Sequence, residues 1–437
     1  MTSRLTLLAL ILALAGCGER EAPVAAPAAV HVAAKPVHVS ADIAAFYRER
    51  ENRPLWVTKS GPRPEALKVA EAVAAAADDG LDPETYGSAE LEAALAAAAS
   101  GDTAALARAE LLTSRAYAAF VRDLHVPAKA PAVAWIDEEL EPRSPPARAL
   151  LDSAAADPGA VDSVLAMNPL YEALSRGYAR RRAAAPALTA AEEAVIRANL
   201  DRARVIPARA GRYVIVDAGS ARLWMIDGRR VEGPMRVIVG KPGMQTPALA
   251  GFIRYTVLNP WWNVPPDLAR ERAKKVLKSG PALLQRERLE ILSDWSERAR
   301  VVAASQVDWR SVAQGRTSLR LRQRPGGANV MGAMKFMLPN RLGIYLHDFP
   351  DKSLFERSDR RLSSGCVRLA DARRLARFLY GGRVPVAAGD APEQRVDLPE
   401  PVPVYITYLT ALPDPGRGLV LQRDVYARDS RPAGHRA

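Results

Sequence analysis

The chain has 437 residues, of which 49% are hydrophobic and 25% charged. That balance fits a folded protein of roughly two to three domains and excludes a disordered tail. Two cysteines, Cys17 and Cys366, and five scattered histidines exclude a disulfide-stapled miniature and a Cys/His zinc cluster, so the residues call for no metal and no cofactor. The net charge of +12 is mostly Arg, spread without a polybasic block. It suits an anionic partner, but the absence of an aromatic-basic motif argues against nucleic acid.

The N-terminus comes first. Arg4 precedes an apolar run from Leu5 to Ala15, too short to span a bilayer. A positive start, a short apolar core and small residues make a secretory signal. The core ends in Leu14-Ala15-Gly16-Cys17, which resembles a bacterial lipobox. That resemblance implies removal of residues 1–16 and lipidation of Cys17. In Gram-negative lipoproteins, Gly18 in place of Asp points to the inner leaflet of the outer membrane, on the periplasmic side. If Cys17 carries lipid, Cys366 is a lone exported thiol, and such a thiol calls for burial, pairing or catalysis.

Residues 17–41 are rich in Ala, Pro and Val and read as a tether. At ~3.1 Å per residue it reaches on the order of 70 Å. From 42 to about 205 the pattern is helical. Ala66–Ala77 and Ala89–Ala99 carry Leu and Val at three- and four-residue intervals, punctuated by Asp78-Asp79-Gly80 and Asp82-Pro83. Leu111, Leu112, Tyr117, Phe120, Val121 and Leu124 form a further apolar helical face.

Near Arg209 the pattern turns to strands. Tyr213–Val216 and Arg222–Ile226 lead into an Asp227-Gly228 turn. Pro234–Val239, Phe252–Leu258, Ser318–Gln323, Ala333–Leu338, Leu342–His347 and Val402–Leu409 continue the series. A charged, helical insertion interrupts it at about 266–316. The expected class is therefore α+β. A helical domain over 42–205 precedes a β-rich domain over 206–410, and 411–437 form a tail.

The chemistry concentrates in one window. Ile344-Tyr345-Leu346-His347-Asp348 is followed by Ser363-Ser364-Gly365-Cys366-Val367-Arg368. A Cys nucleophile needs an imidazole within hydrogen-bond reach to hold it as thiolate. His31 and His38 lie in the tether, His125 in the helical half and His435 in the tail. His347 is left to serve Cys366. Gly365 lets the backbone approach an acyl carbonyl closely, and N–H groups around Gly365 and Cys366 suit an oxyanion. Tyr345 shares a strand face with His347. Arg368 suits a two-pronged grip on a carboxylate, with a structural salt bridge as the alternative. Trp261 and Trp262 suit either a cleft wall or core packing.

This window resembles the signature of the YkuD-type L,D-transpeptidases, a His followed by Ser-His-Gly-Cys-x-Arg or a variant. Ser364 stands in the second His slot, as in the large two-domain Gram-negative members. Leu258–Pro266, Leu321–Gly327, Lys335–Asn340, Tyr405–Tyr408 and Asp424–Tyr426 resemble further segments of that subgroup. Phe46-Tyr47 and Asp79–Asp82 resemble its scaffold domain. The resemblance implies a helical scaffold, a catalytic domain and a capping insertion over the cleft. It implies Cys366 as nucleophile and His347 as base, oriented by the Asp348 carbonyl, with the Asp348 carboxylate either a third member or a solvated loop acid. It implies peptidoglycan stem peptides as donor and acceptor, 3→3 cross-links as product, and carbapenems as covalent inhibitors. Two alternatives stay open: a hydrolase on the same fold that trims stems or detaches wall-bound lipoproteins, and a non-catalytic wall-binding lipoprotein.

Overall fold

The computed structural model describes residues 36–127, 131–208 and 211–429. The expected signal, the lipidation site Cys17 and most of the tether lie outside the described residues. So do 430–437 of the expected tail.

Among the described residues the helical half holds eight α-helices: α1 Ala41–Glu49, α2 Pro64–Ala74, α3 Ser88–Ala98, α4 Thr103–His125, α5 Ala147–Ala156, α6 Gly159–Leu165, α7 Pro169–Ala183 and α8 Ala190–Arg204. Local chemistry sets their starts. Asp102 caps α4 by accepting from the Ala105 N–H at 2.9 Å, and Thr189 with Glu192 forms a capping box on α8. A two-strand hairpin, β1 Val57–Thr58 and β2 Gly61–Pro62, follows α1. Trp56, Tyr47, Tyr117 and Phe120 are fully buried between these elements, with Trp56 and Tyr117 edge to face at 5.4 Å. Each such side chain contributes about 1.5–3 kcal/mol by burial. Glu110 sits inside this apolar core. Its carboxylate accepts from the backbone N–H groups of Leu55, Trp56 and Val57 and from the Tyr47 hydroxyl.

After β3 (Ala134–Trp135), the sheet half begins with β4 Arg212–Asp217, β5 Arg222–Asp227, β6 Arg230–Gly240 and β7 Leu249–Leu258. In chain order follow β8 Trp262–Val264, β9 Leu289–Leu292, β10 Val301–Val302, β11 Arg320–Gln323, β12 Met334–Met337, β13 Leu346–Asp348, β14 Arg361–Ser363, β15 Val367–Leu369 and β16 Gln394–Thr407. The large sheet runs β12-β13-β15-β6-β5-β4-β16-β7, and β7 pairs again with β12, so the ring of strands closes. Val214 and Val216 point into one core, while Tyr213 and Ile215 on the opposite face join the core of the helical half. The sheet and the scaffold thus share one apolar interface. β3 extends it by pairing with β7, Ala134 against Leu249.

Three stretches differ from the sequence expectation. The insertion is wider than 266–316 and is not helical alone. Its helices α9 Pro266–Ser279, α10 Ala282–Arg286 and α11 Trp309–Ala313 pack on a separate sheet of order β10-β9-β11-β8. Leu321 therefore pairs with Ile291 and Val264 inside the cap, not with the strands before His347. The charged residues that mask these strands lie on their outer face: Glu290 bridges Arg322 at 2.8 Å and Arg324 at 2.6 Å. Second, α12 Ala372–Leu379 buries Ala372, Leu375, Ala376 and Leu379 against the sheet, where no helix was expected. Third, 411–429 is not a loose tail. The hairpin β17 Ala411–Asp414 and β18 Gly418–Leu421 packs on α7, and Tyr426 is 1% exposed.

Candidate active site

The site forms where three short strands run side by side. β13 lies between β12, which is antiparallel to it, and β15, which is parallel. Lys335 opposes His347, and His347 opposes Arg368. One step earlier, the Val367 N–H donates to the Tyr345 carbonyl at 3.1 Å, which sets Cys366 beside Tyr345. Strand alternation then puts Lys335, Tyr345, His347, Cys366 and Arg368 on one face. The nineteen-residue separation of His347 and Cys366 is the loop that returns the chain to a parallel neighbour.

His347 is 2% exposed, and its Nδ1 donates to the Asp348 carbonyl at 2.6 Å. A carbonyl only accepts, so this bond fixes the tautomer and leaves Nε2 with a free lone pair. Burial, and next the Arg368 guanidinium, push the His347 pKa down to about 3, with Lys335 adding to the effect. The imidazole is neutral at physiological pH. The Cys366 thiol is pushed up by burial, an effect that hydrogen bonding from Tyr345 and the charge of Arg368 only soften. Its Sγ donates to the Gly343 carbonyl at 3.5 Å. The resting pair is thus a thiol and a neutral base, not a thiolate–imidazolium pair. That arrangement suits proton removal during attack rather than before it.

Arg368 packs over the Phe349 ring at 4.3 Å, and its buried Nε has no hydrogen-bond partner. Among the described residues no carboxylate pairs with it, which removes the structural salt bridge. An unsatisfied buried guanidinium edge on the same face as a thiol is a ready receptor for an anionic group. Tyr345 is half-buried, leans toward His347 with ring centres 5.7 Å apart, and touches both the barrel core and the cap core.

The remaining residues fall out differently. The Asp348 carboxylate accepts from the Ala333 N–H at 3.0 Å and from Lys352 at 2.7 Å. Burial alone would raise its pKa, but these partners hold it below the usual range. It ties down its loop, and its part at the site is its carbonyl. Gly365 has φ +117°, a conformation that favours glycine. Its N–H, however, donates to Ser363 Oγ at 3.1 Å and is not turned to an oxyanion. The Ser364 side chain is exposed and holds no part of the loop. Trp262 is 7% exposed in the cap core, its ring 4.8 Å from the Arg272 guanidinium, so it walls no cleft. Trp261 lies half-buried with Arg322 at 3.9 Å, and its backbone N–H donates to Glu393, the ion-pair partner of Lys335.

Sequence reasoning missed Ser363 and Thr246 as working parts. Ser363 is 2% exposed and donates to the Cys366 carbonyl at 2.6 Å while accepting from Gly365. Thr246 is fully buried and donates to the Gly365 carbonyl at 2.7 Å. Ser363 was signalled by its place two residues before Gly365. Thr246, 119 residues away, carried no signal.

Comparison with known proteins decides the family. Residues 211–404 match the model of the YkuD L,D-transpeptidase catalytic domain, and residues 41–177 match that of the Scaffold domain. The sheet half belongs to the YkuD family of L,D-transpeptidases. A Haemophilus influenzae protein named "Putative L,D-transpeptidase" is 31% identical over 238 residues, 53% of this chain and 47% of that protein. The match thus spans about half the length of that relative. A solved L,D-transpeptidase from Mycobacterium smegmatis is 13% identical over 45% of this chain and 58% of its own, with a TM-score of 0.22. That likeness is too slight to carry any argument. Within the matched segment fall the strands β12, β13 and β15 and every residue of the polar face just described.

Proposed function

We propose that this chain is a peptidoglycan L,D-transpeptidase that works through a Cys366 thioester and forms 3→3 cross-links. The observation that carries this is the shared strand face of Tyr345, His347, Cys366 and Arg368 inside a YkuD catalytic domain. His347 Nε2 takes the thiol proton as Cys366 Sγ attacks the carbonyl carbon of the third stem residue. The C–N bond to the terminal D-Ala breaks, and the imidazolium gives its proton to the leaving amine. An amine of a neighbouring stem then attacks the thioester, His347 takes its proton, and the C–S bond breaks to restore the thiol. Arg368 holds a stem carboxylate through its unsatisfied edge. The Cys366 N–H is the remaining backbone donor beside the sulfur for the tetrahedral oxyanion.

The reading extends to place and partners. The chain is a lipoprotein anchored through Cys17 at the inner leaflet of the outer membrane, with stem peptides as donor and acceptor and carbapenems as covalent inhibitors. The same face would serve a hydrolase if water replaced the amine. Purified protein with a tetrapeptide stem, followed by muropeptide mass analysis, separates the outcomes. A 3→3 dimer supports transpeptidation, a shortened stem supports hydrolysis, and unchanged substrate contradicts both. Mass spectrometry of the mature N-terminus tests the anchor: an unmodified Cys17 contradicts it.

A further inference from the structure

The nucleophile loop is held from behind by a chain of bonds that begins in the scaffold. Arg202 of α8 donates to the Asp429 carboxylate at 2.7 Å and to the Arg428 carbonyl at 2.8 Å. Its own side chain and that of Asp429 are each 12% exposed, so water screens this pair little. Arg428 reaches onward, donating to the Thr246 carbonyl at 2.9 Å and to Gln245 Oε1 at 3.2 Å. Its guanidinium sits 5.0 Å from both the Tyr408 and the Tyr426 rings, which stack on each other at 4.8 Å.

Two further bonds close the path. The Tyr426 hydroxyl donates to the Gly240 carbonyl, and the Gly240 N–H donates to Thr246 Oγ1 at 2.9 Å. Thr246 Oγ1 then donates to the Gly365 carbonyl, one residue before Cys366. Gly240 is also the register partner of Ser363, whose hydroxyl clamps Gly365 and Cys366 from the other side. Only glycine fits there: a Cβ at Gly240 would lie 2.1 Å from the Met244 carbonyl oxygen. The loop is thus gripped at Gly365 N–H, Gly365 carbonyl and Cys366 carbonyl by two buried hydroxyls.

We infer that the C-terminal segment Asp424–Asp429, clamped by Arg202 and linked through Gly240 and Thr246 to Gly365, is a positioning element for the Cys366 nucleophile. This rests on Cys366 being the nucleophile. The segment touches no reacting atom. It fixes where the sulfur stands relative to His347 and Arg368. Misplacement of a reacting atom by an ångström lowers a rate by on the order of 100-fold, so a loosened loop acts on kcat with little effect on substrate binding.

The test uses the full chain and four variants. Thr246→Val removes one hydroxyl at nearly constant volume, Thr246→Ser restores it, Tyr426→Phe removes one hydroxyl and keeps the stack, and Arg202→Gln cuts the scaffold end. Amide hydrogen exchange across 361–369, read by mass spectrometry, is expected to speed up in Thr246→Val, Tyr426→Phe and Arg202→Gln, and to return toward the parent in Thr246→Ser. The first two are expected to lower kcat between about tenfold and 100-fold with KM within about twofold. Unchanged exchange in both Thr246→Val and Tyr426→Phe overturns the inference. So does altered exchange with full kcat. If Thr246→Val fails to fold, Tyr426→Phe decides alone. If the parent turns over no stem peptide, the proposed function falls, while the exchange data still decide whether the segment holds the loop.

Discussion

The scaffold and the barrel each bury a charged side chain, and they treat it in opposite ways. Glu110 lies in the helical core with three backbone N–H groups and the Tyr47 hydroxyl on its carboxylate. Arg368 lies on the barrel face with a buried Nε that no described residue satisfies. A fully satisfied buried group specifies a fold, since each bond ties one loop to one helix. An unsatisfied one is a standing cost of about 1–3 kcal/mol that stability alone would not maintain. The same contrast holds for neutral groups: Ser114 accepts from Trp56 at 2.8 Å, whereas the Cys366 Sγ donates to the Gly343 carbonyl over a long 3.5 Å. Where polar atoms are buried and satisfied, the molecule is being held. At Arg368 the spare Nε lies on the face of the thiol, so the donor left over there is placed for a ligand.

Cys366→Ala removes the reacting atom and should lower turnover by more than about 1,000-fold, while the melting temperature stays within a few degrees because a small side chain is lost. Substantial cross-linking by this variant would remove the nucleophile assignment. On the scaffold side, Glu110→Ala strands three backbone N–H groups and should destabilise by at least about 3 kcal/mol, read by urea unfolding. Its kcat at 25 °C should match the parent while the protein is folded. A loss of kcat without loss of stability would mean the two regions are not separable in this way.

Arg368→Gln keeps hydrogen-bond donors but loses the charge. It should lower kcat/KM by roughly 100-fold, the scale of a charge-assisted pair at about 1.5–3 kcal/mol. The same change should relieve His347 of the cation that lowers its pKa most and move the acid limb of the pH–rate profile upward. An unchanged profile would separate the two groups electrically.

A further effect is on stability against pH. His347 is held neutral, with its pKa pushed from 6.5 down to about 3. Between those values the unfolded chain takes up a proton that the folded molecule refuses. Its contribution is therefore fully present above about pH 6.5 and is lost as pH falls toward 3. His347→Gln should flatten the slope of unfolding free energy over that window, and parallel slopes would contradict the neutral imidazole.

Much of this was legible in the sequence, and the limits have physical causes. Tyr213–Val216 and Arg222–Ile226 read as strands because each alternates across two apolar environments, and the Asp227-Gly228 turn joins β5 to β6. His347 and Cys366 were readable because no other histidine of the chain suited the thiol. β9 was hidden because it is four residues long and lies between helices in a charged stretch, whereas Ser318–Gln323 read as a strand and forms β11, its partners in the cap sheet being what the pattern did not show. The expected oxyanion role of the Gly365 N–H failed because Ser363 competes for it at two residues' distance, a local bond that residue identity does not announce. Thr246, Tyr426 and Arg202 came from three distant segments and were assembled by the closed sheet. Only the fold brings them to Gly365.

The central claim is that Cys366 carries the acyl group. Intact-protein mass spectrometry after rapid acid quench, with a tetrapeptide stem as donor, reads it directly. The account predicts an adduct equal to the stem minus its terminal D-Ala, mapped by peptide digestion to Cys366 and absent from Cys366→Ala. An adduct that forms equally on that variant, or turnover with no adduct on Cys366 at any quench time, would contradict it.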